Sequence, residues 1–397
     1  MFRLLVFLLT FILLICMATT SIENRIYRLP LIRRQSTLEK LLQNPDGKVK
    51  DMKIGKIKPT NENITLFKYL DSEFYSEVLV GKPGQKFKVI FDTTWGDMWL
   101  PSVLCSPKLY PFCEKKNLYD SSRSSTHVPI KPEPFNISGL VGNVTCDTVR
   151  LSHLNVTDLL FAEIIEVPNI IDFEVMKADG IIGLGYKTLA KTTEVPFFYK
   201  LIKDKKILKP IFSLYINRDP GTTKGGIIFL GGIEPKHING TITYVPVIHQ
   251  AYWQFEMTQF SVQINKTYSE PFCSPSVCQT VLDTSNNKIG VPAKYLLKLN
   301  TLIKAKEYKY NRYYVSCNTI NKLPNIILHI GDRDFKLEPR HYIQRIETSN
   351  GLVCLTAFGE TELDNDRWSL GGGFLSSVYT IFDIENNQIG FANLRSG

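Results

Sequence analysis

Two aspartates in this chain occupy the same local setting. Ile90-Phe91-Asp92-Thr93 is followed by Pro101 and Val281-Leu282-Asp283-Thr284 by Pro292, an Asp-to-Pro separation of nine residues in both. Further on, an apolar residue leads into a glycine in each copy: Ile181-Ile182-Gly183 about ninety residues after Asp92, and Ser369-Leu370-Gly371 at nearly the same distance after Asp283. Chance placement of two Asp-Thr pairs in turns does not explain both matched spacings, so one unit is duplicated with one carboxylate per copy. Carboxylates brought together across a pseudo-twofold axis cannot both ionise comfortably; they share a proton and titrate as a pair. The ionised member can then deprotonate a water while the protonated member donates to a substrate carbonyl. Such chemistry needs no metal, no cofactor and no nucleophilic Ser or Cys.

Other chemistries find less support. The six histidines, His127, His153, His237, His249, His329 and His341, form no His-x-x-x-His pair that would suit a metal. Gly231-Gly232 lacks the lysine of a phosphate-binding loop. The formal net charge of +9 invites a nucleic-acid reading. However, residues 1–60 carry eleven Lys and Arg against four Asp and Glu, leaving only +2 for the rest of the chain. The surplus therefore marks an N-terminal segment, and no nucleic-acid partner is expected.

A carboxylate pair must be held by rigid elements. Hydrophobic residues make up 44% of the chain and charged residues 21%, which excludes a disordered or coiled-coil protein. At 397 residues the chain exceeds the roughly 250–300 that one core supports, so two lobes are expected. Short β-branched and aromatic runs punctuated by Gly, Pro, Asn or Asp predict an all-β fold. Examples are Phe87–Phe91, Gly226–Leu230, Thr241–Val245 and Ile326–Ile330, with short helical patterns only near Phe197–Lys203 and Lys294–Thr301.

The N-terminal stretch Leu4–Ala18 is apolar and ends among small residues, as a signal peptide does over 1–20. It is short for a membrane span, and no later run approaches the roughly 18 apolar residues that spanning requires. Residues 21–60, basic and broken by Pro30, Pro45 and Pro59, read as a pro-segment. Close spacings at Cys105/Cys113 and Cys273/Cys278 suit small disulfide loops in an oxidising compartment. Asn-x-Ser/Thr acceptors stand at Asn63, Asn136, Asn143, Asn155, Asn239 and Asn265. Together these point to a secreted, extracellular or lysosomal protein.

From about Leu66 onward the chain resembles the pepsin-like aspartic peptidases of the cathepsin D and renin kind. Phe91-Asp-Thr-Thr-Trp-Gly-Asp-Met-Trp-Leu-Pro-Ser102 is similar to the family's first active-site segment and Val281-Leu-Asp-Thr-Ser-Asn286 to its second. Tyr119-Asp-Ser-Ser, Asp179-Gly-Ile-Ile-Gly-Leu-Gly185, Tyr244-Val-Pro246, Tyr252-Trp-Gln254 and Tyr379-Thr-Ile-Phe-Asp383 follow in family order. The resemblance implies a bilobal fold of two duplicated β-lobes, 61–245 and 246–397, with a central cleft that takes a peptide or protein, closed by a hairpin flap over 130–151. It also implies catalytic Asp92 and Asp283, the disulfides Cys105–Cys113, Cys273–Cys278 and Cys317–Cys354, and a pro-segment that lies against the cleft. Cys146 is left over, as a buried thiol in a monomer or a bridge to a second copy.

The departures from the family pattern fall on the chemistry. The glycine after each Asp-Thr is replaced by Thr94 and Ser285, and an added Cβ at both is expected to push the loops apart or turn the carboxylates. Trp95 and Asn286 replace the hydroxyl residues that follow, and Gly372 replaces an aspartate. The flap tyrosine and its neighbour are Phe135 and Asn136, where a glycan would be expected to obstruct the cleft. This pattern is similar to that of inactive homologues and predicts weak or absent proteolysis with a retained binding cleft. The intact Asp92, Thr93, Asp283 and Thr284 support the alternative, an active acid endopeptidase. On the first reading, restoring glycine at 94 and 285 together raises activity by more than the two single changes combined.

Overall fold

The computed structural model describes residues 26–34 and 74–395, apart from 132, 168–175, 194, 218–222, 274, 309–311, 349–350, 362 and 365. The leader, Asn63 and most of the basic segment expected over 21–60 lie outside these residues. The fold is all-β and bilobal, and the described residues form sheets of thirteen, nine and four strands. Strands β1 (Tyr27–Arg33), β2 (Phe74–Val80), β3 (Gln85–Asp92), β4 (Met98–Pro101), β5 (Pro134–Ile137), β6 (Leu140–Leu151), β7 (Leu154–Glu166), β8 (Gly180–Gly183), β9 (Ile211–Ile216), β10 (Lys224–Leu230) and β11 (Ile238–Pro246) belong to the largest sheet. Helices occur at Phe197–Lys203 and Ala293–Leu302, where the sequence places them. No helix among the described residues is long and apolar enough to cross a membrane.

The duplication read from spacing is a duplication of topology. In the first copy β3 runs parallel to β8, β8 is antiparallel to β4, and β4 is parallel to β7. The second copy repeats this with Cys278–Leu282 parallel to Trp368–Leu370, the latter antiparallel to Ile289–Val291, and Ile289–Val291 parallel to Phe358–Glu360. Each Asp thus emerges from the end of a buried parallel strand, where near-continuous apolar sequence is required. The repeated glycines are explained by close approach. A Cβ on Gly183 would lie 2.5 Å from the Trp95 carbonyl oxygen, and one on Gly371 would lie 2.5 Å from the Asn286 and Lys288 carbonyl oxygens. Only a residue without a side chain lets the strand pass beneath the Asp-bearing loop.

The basic N-terminal segment is not wholly peripheral. Its strand β1 sits between β10 and β2, with Leu29 and Leu31 buried in the core. Arg28 pairs with Glu234 at 3.0 Å. The chain's last strands also return to this sheet, Val378–Asp383 against β9 and Gln388–Leu394 against β11. Trp253 further fastens the two halves, donating its indole N–H to the Leu184 carbonyl at 2.8 Å.

Candidate active site

Asp92 and Asp283 lie where the two copies meet, and the residues after them interlock. The Thr93 hydroxyl donates to the Leu282 carbonyl at 2.7 Å and accepts the Thr284 N–H at 3.2 Å. Reciprocally, the Thr284 hydroxyl donates to the Phe91 carbonyl at 2.6 Å and accepts the Thr93 N–H at 3.1 Å. Four crossed bonds therefore join the two Asp-bearing turns. Each carboxylate also receives two donors from the residue two places on. Asp92 Oδ1 accepts the Thr94 N–H at 2.7 Å and its hydroxyl at 2.6 Å, and Asp283 Oδ1 accepts the Ser285 N–H at 2.9 Å and its hydroxyl at 2.5 Å. The Asn286 side-chain amide donates to Asp283 Oδ2 at 2.7 Å. The expected separation of the loops by the Thr94 and Ser285 Cβ atoms is not what the structure shows. The hydroxyls fold back onto the carboxylates, and the turns stay bridged.

A cavity of about 360 Å³ opens beside Asp283, which lines it. Thr94, Trp95, Leu189, Ile137 and Tyr252 line it, facing Asp283, Asn286, Lys288 and Glu360. Asp92 is 0% exposed and Asp283 is 7% exposed, so the first carboxylate lies deeper. Lys288 and Lys191 were not singled out in the sequence. Lys288 is a buried lysine within the buried run Asn286 to Val291. Asp97, within the first Asp segment, anchors the floor by accepting the Lys191 N–H at 2.8 Å and the Thr192 N–H and hydroxyl at 2.8 and 2.6 Å.

The segment that the resemblance makes a flap contains the β5–β6 hairpin, turning at Ser138 and Gly139, both with positive φ. Ile137 and Ser138 reach the cavity, and Phe135 is buried in a cluster with Trp99, Phe112 and Ile164.

A family model described as eukaryotic aspartyl protease matches residues 73–394. The chain belongs to that family. It is 33% identical to cathepsin D of Gallus gallus over 383 residues, covering 92% of this chain and 94% of the relative. It is 34% identical to renin of Rattus norvegicus over 339 residues, covering 84% and 82%. It is 32% identical to cathepsin E of Aquarana catesbeiana over 397 residues, covering 96% of each.

In this member of the family the three disulfides implied by resemblance are formed: Cys105–Cys113, Cys273–Cys278 and Cys317–Cys354. Cys146, on β6, is a free thiol only 5% exposed, and burial raises its pKa. A bridge through Cys146 to a second copy is therefore out of reach, because thiol exchange needs an accessible thiolate. Gly372 is likewise accounted for. A Cβ there would stand 2.2 Å from Asn287 Oδ1, which occupies the space that an aspartate side chain would enter.

The flap corrects one expectation about glycosylation. Along β5 the side chains alternate, with Phe135 buried and Ile137 towards the cavity, while Asn136 between them is exposed. Asn136 therefore points away from the cleft, and a glycan there would cover the flap's outer face. Peptide binding by Asn136-glycosylated protein and by Asn136→Gln is expected to agree within about twofold, checked by titration calorimetry. A large gain on removing the sequon would show obstruction. Asn155, Asn239 and Asn265 are also exposed, and Asn143 is half-buried.

Glu163, on β7 beside the flap, has its pKa raised, chiefly by burial and against the lowering effect of its bond from the Ser102 hydroxyl at 2.5 Å. An acid with a raised folded pKa binds more protons folded than unfolded, so stability falls as pH rises from the ordinary carboxylate value through the folded one. Below that range both states are protonated and the effect vanishes. Glu163→Gln is accordingly expected to raise Tm at neutral pH and to leave it unchanged in strong acid, as read by thermal melts across pH.

Proposed function

We propose that the chain is an acid aspartic endopeptidase of this family, exported to the lysosome or the cell exterior, that cleaves peptide bonds between apolar residues. The observation that carries this reading is the bridged pair of turns that holds Asp92 and Asp283 with hydrogen-bonded carboxylates, Asp283 on the wall of the cavity. The ionised carboxylate takes a proton from water as its oxygen attacks the scissile carbonyl, and the protonated partner donates to the carbonyl oxygen. Collapse of the tetrahedral intermediate breaks the C–N bond, and a proton passes to the leaving amine. The apolar wall of Trp95, Leu189 and Ile137 suits an apolar side chain, and the three disulfides suit an oxidising compartment.

The domain reading is a signal peptide over 1–20, a pro-segment over 21–60, an N-terminal lobe over 61–245 and a C-terminal lobe over 246–397. Loss of the pro-segment would require withdrawing β1, with Leu29 and Leu31, from the core. Full-length protein incubated at about pH 3–5 with a denatured protein is expected to yield pepstatin-sensitive cleavage products, identified by mass spectrometry. A second reading, a peptide-binding homologue without turnover, draws on the complete burial of Asp92 and the missing hydroxyl at Phe135. Pepstatin binding without any cleavage would favour it.

A further inference from the structure

Position 94 and position 285 are the two places where the sequence pattern predicted damage, and the structure gives both the same arrangement. The residues differ, Thr and Ser, yet each places an N–H and a hydroxyl on the single oxygen Oδ1 of the aspartate two residues before it. A backbone amide alone leaves a carboxylate free to swing about its Cα–Cβ and Cβ–Cγ bonds. An N–H and a hydroxyl that converge on Oδ1 hold that atom from two directions, so swinging it away costs two hydrogen bonds. A carboxylate oxygen has two lone pairs, and both donors of the residue two places on converge on Oδ1 rather than on Oδ2. On Asp283 that oxygen is itself aimed by the Asn286 amide.

We propose that the hydroxyls of Thr94 and Ser285 are positioning groups that fix the rotamers of Asp92 and Asp283 for the proton transfers of the pair. The matched use of a β-hydroxyl in both copies supports a shared role in the dyad, because steric tolerance alone would not select a hydroxyl twice. The proposal deepens the peptidase reading and rests on it.

The test separates hydroxyl from bulk. Thr94→Val and Ser285→Ala remove the hydroxyl and leave a Cβ, whereas Thr94→Ser and Ser285→Thr keep both. Kinetics on full-length, acid-incubated protein are expected to show kcat falling at least about tenfold in the first pair with KM within about twofold, and recovery in the second pair. Thr94→Gly with Ser285→Gly is expected to lower kcat as well. A rise in kcat in that double variant, or an unchanged kcat in Thr94→Val and Ser285→Ala, overturns the proposal.

Should the wild type lack turnover, the peptidase reading fails while the inference is still decided by binding. Pepstatin carries a hydroxyl that mimics the attacked carbonyl, and its deoxy counterpart does not. The affinity ratio of the two is expected to be at least about tenfold in the wild type, Thr94→Ser and Ser285→Thr, and to collapse towards one in Thr94→Val and Ser285→Ala. An equal ratio in all five proteins, or no preference for the hydroxyl in the wild type, refutes the positioning role.

Discussion

Replacing Asp92 or Asp283 by Asn is expected to lower kcat for acid peptide cleavage by about 10²–10⁴-fold, the span associated with a positioned general acid or base. The change is nearly isosteric, so it separates chemistry from packing. Asn at 92 still offers an oxygen to the Thr94 N–H and hydroxyl, but it cannot take a proton from water. Asn at 283 faces a further conflict, because the Asn286 amide donates to Asp283 Oδ2 and would meet a second donor unless one amide turned over. Thermal melts should therefore show Asp283→Asn losing more stability than Asp92→Asn, while both lose activity. Residual kcat within tenfold of wild type in either variant would place the chemistry elsewhere.

The second large effect concerns the threonine bridge. Thr93 is fully buried, and its hydroxyl both donates to Leu282 and accepts from Thr284. Thr93→Val keeps the shape and leaves a buried carbonyl and a buried N–H without that partner, at about 1–3 kcal/mol. Thr284→Val removes the reciprocal pair, to Phe91 and from Thr93. The double variant should lose less than the sum of the two singles. Once one side of the bridge is gone the turns can separate, and the remaining bonds are already weakened. Urea unfolding of the three variants measures this coupling. Strict additivity would mean that the two turns are held independently. Activity should fall in each single variant by more than the stability loss alone would cause, since misplacement near 1 Å can cost about a hundredfold.

Much of the framework was legible because duplication leaves spacing behind. Asp92 and Asp283, Pro101 and Pro292, and Gly183 and Gly371 mark equivalent points of one topology. A glycine on which a close backbone pass depends cannot drift, so its distance from the aspartate is preserved in the sequence. The alternation of short apolar runs likewise located the strands.

The chemistry of positions 94 and 285 was not legible. A residue type announces a Cβ and a hydroxyl, but whether the Cβ wedges the loop open or the hydroxyl bonds the carboxylate is a matter of rotamer. Sequence spacing carries no rotamer information. Asn136 shows the same limit. Its sequon is plain in the sequence, but the face of the hairpin it occupies depends on strand register, and one residue of slip reverses it. Strand β1 was hidden for another reason. Its Arg28 and Arg33 gave it the composition of a solvated segment, whereas Leu29 and Leu31 supply the alternation that puts it in the sheet. Lys288 was overlooked because it closes the polar run Asp283–Asn287 and so reads as a solvated turn residue. In the fold its stem runs past Gly359 at the cavity wall.

The central claim is that Asp92 and Asp283 form a working dyad despite the changed residues around them. It is tested most directly by incubating full-length protein at about pH 3–5 with a denatured substrate and titrating the activity with pepstatin. The account predicts cleavage that ends at one inhibitor per protein molecule and that Asp92→Asn does not show. Pepstatin binding at that stoichiometry with no cleavage by the wild type, or cleavage that survives Asp92→Asn, would contradict it.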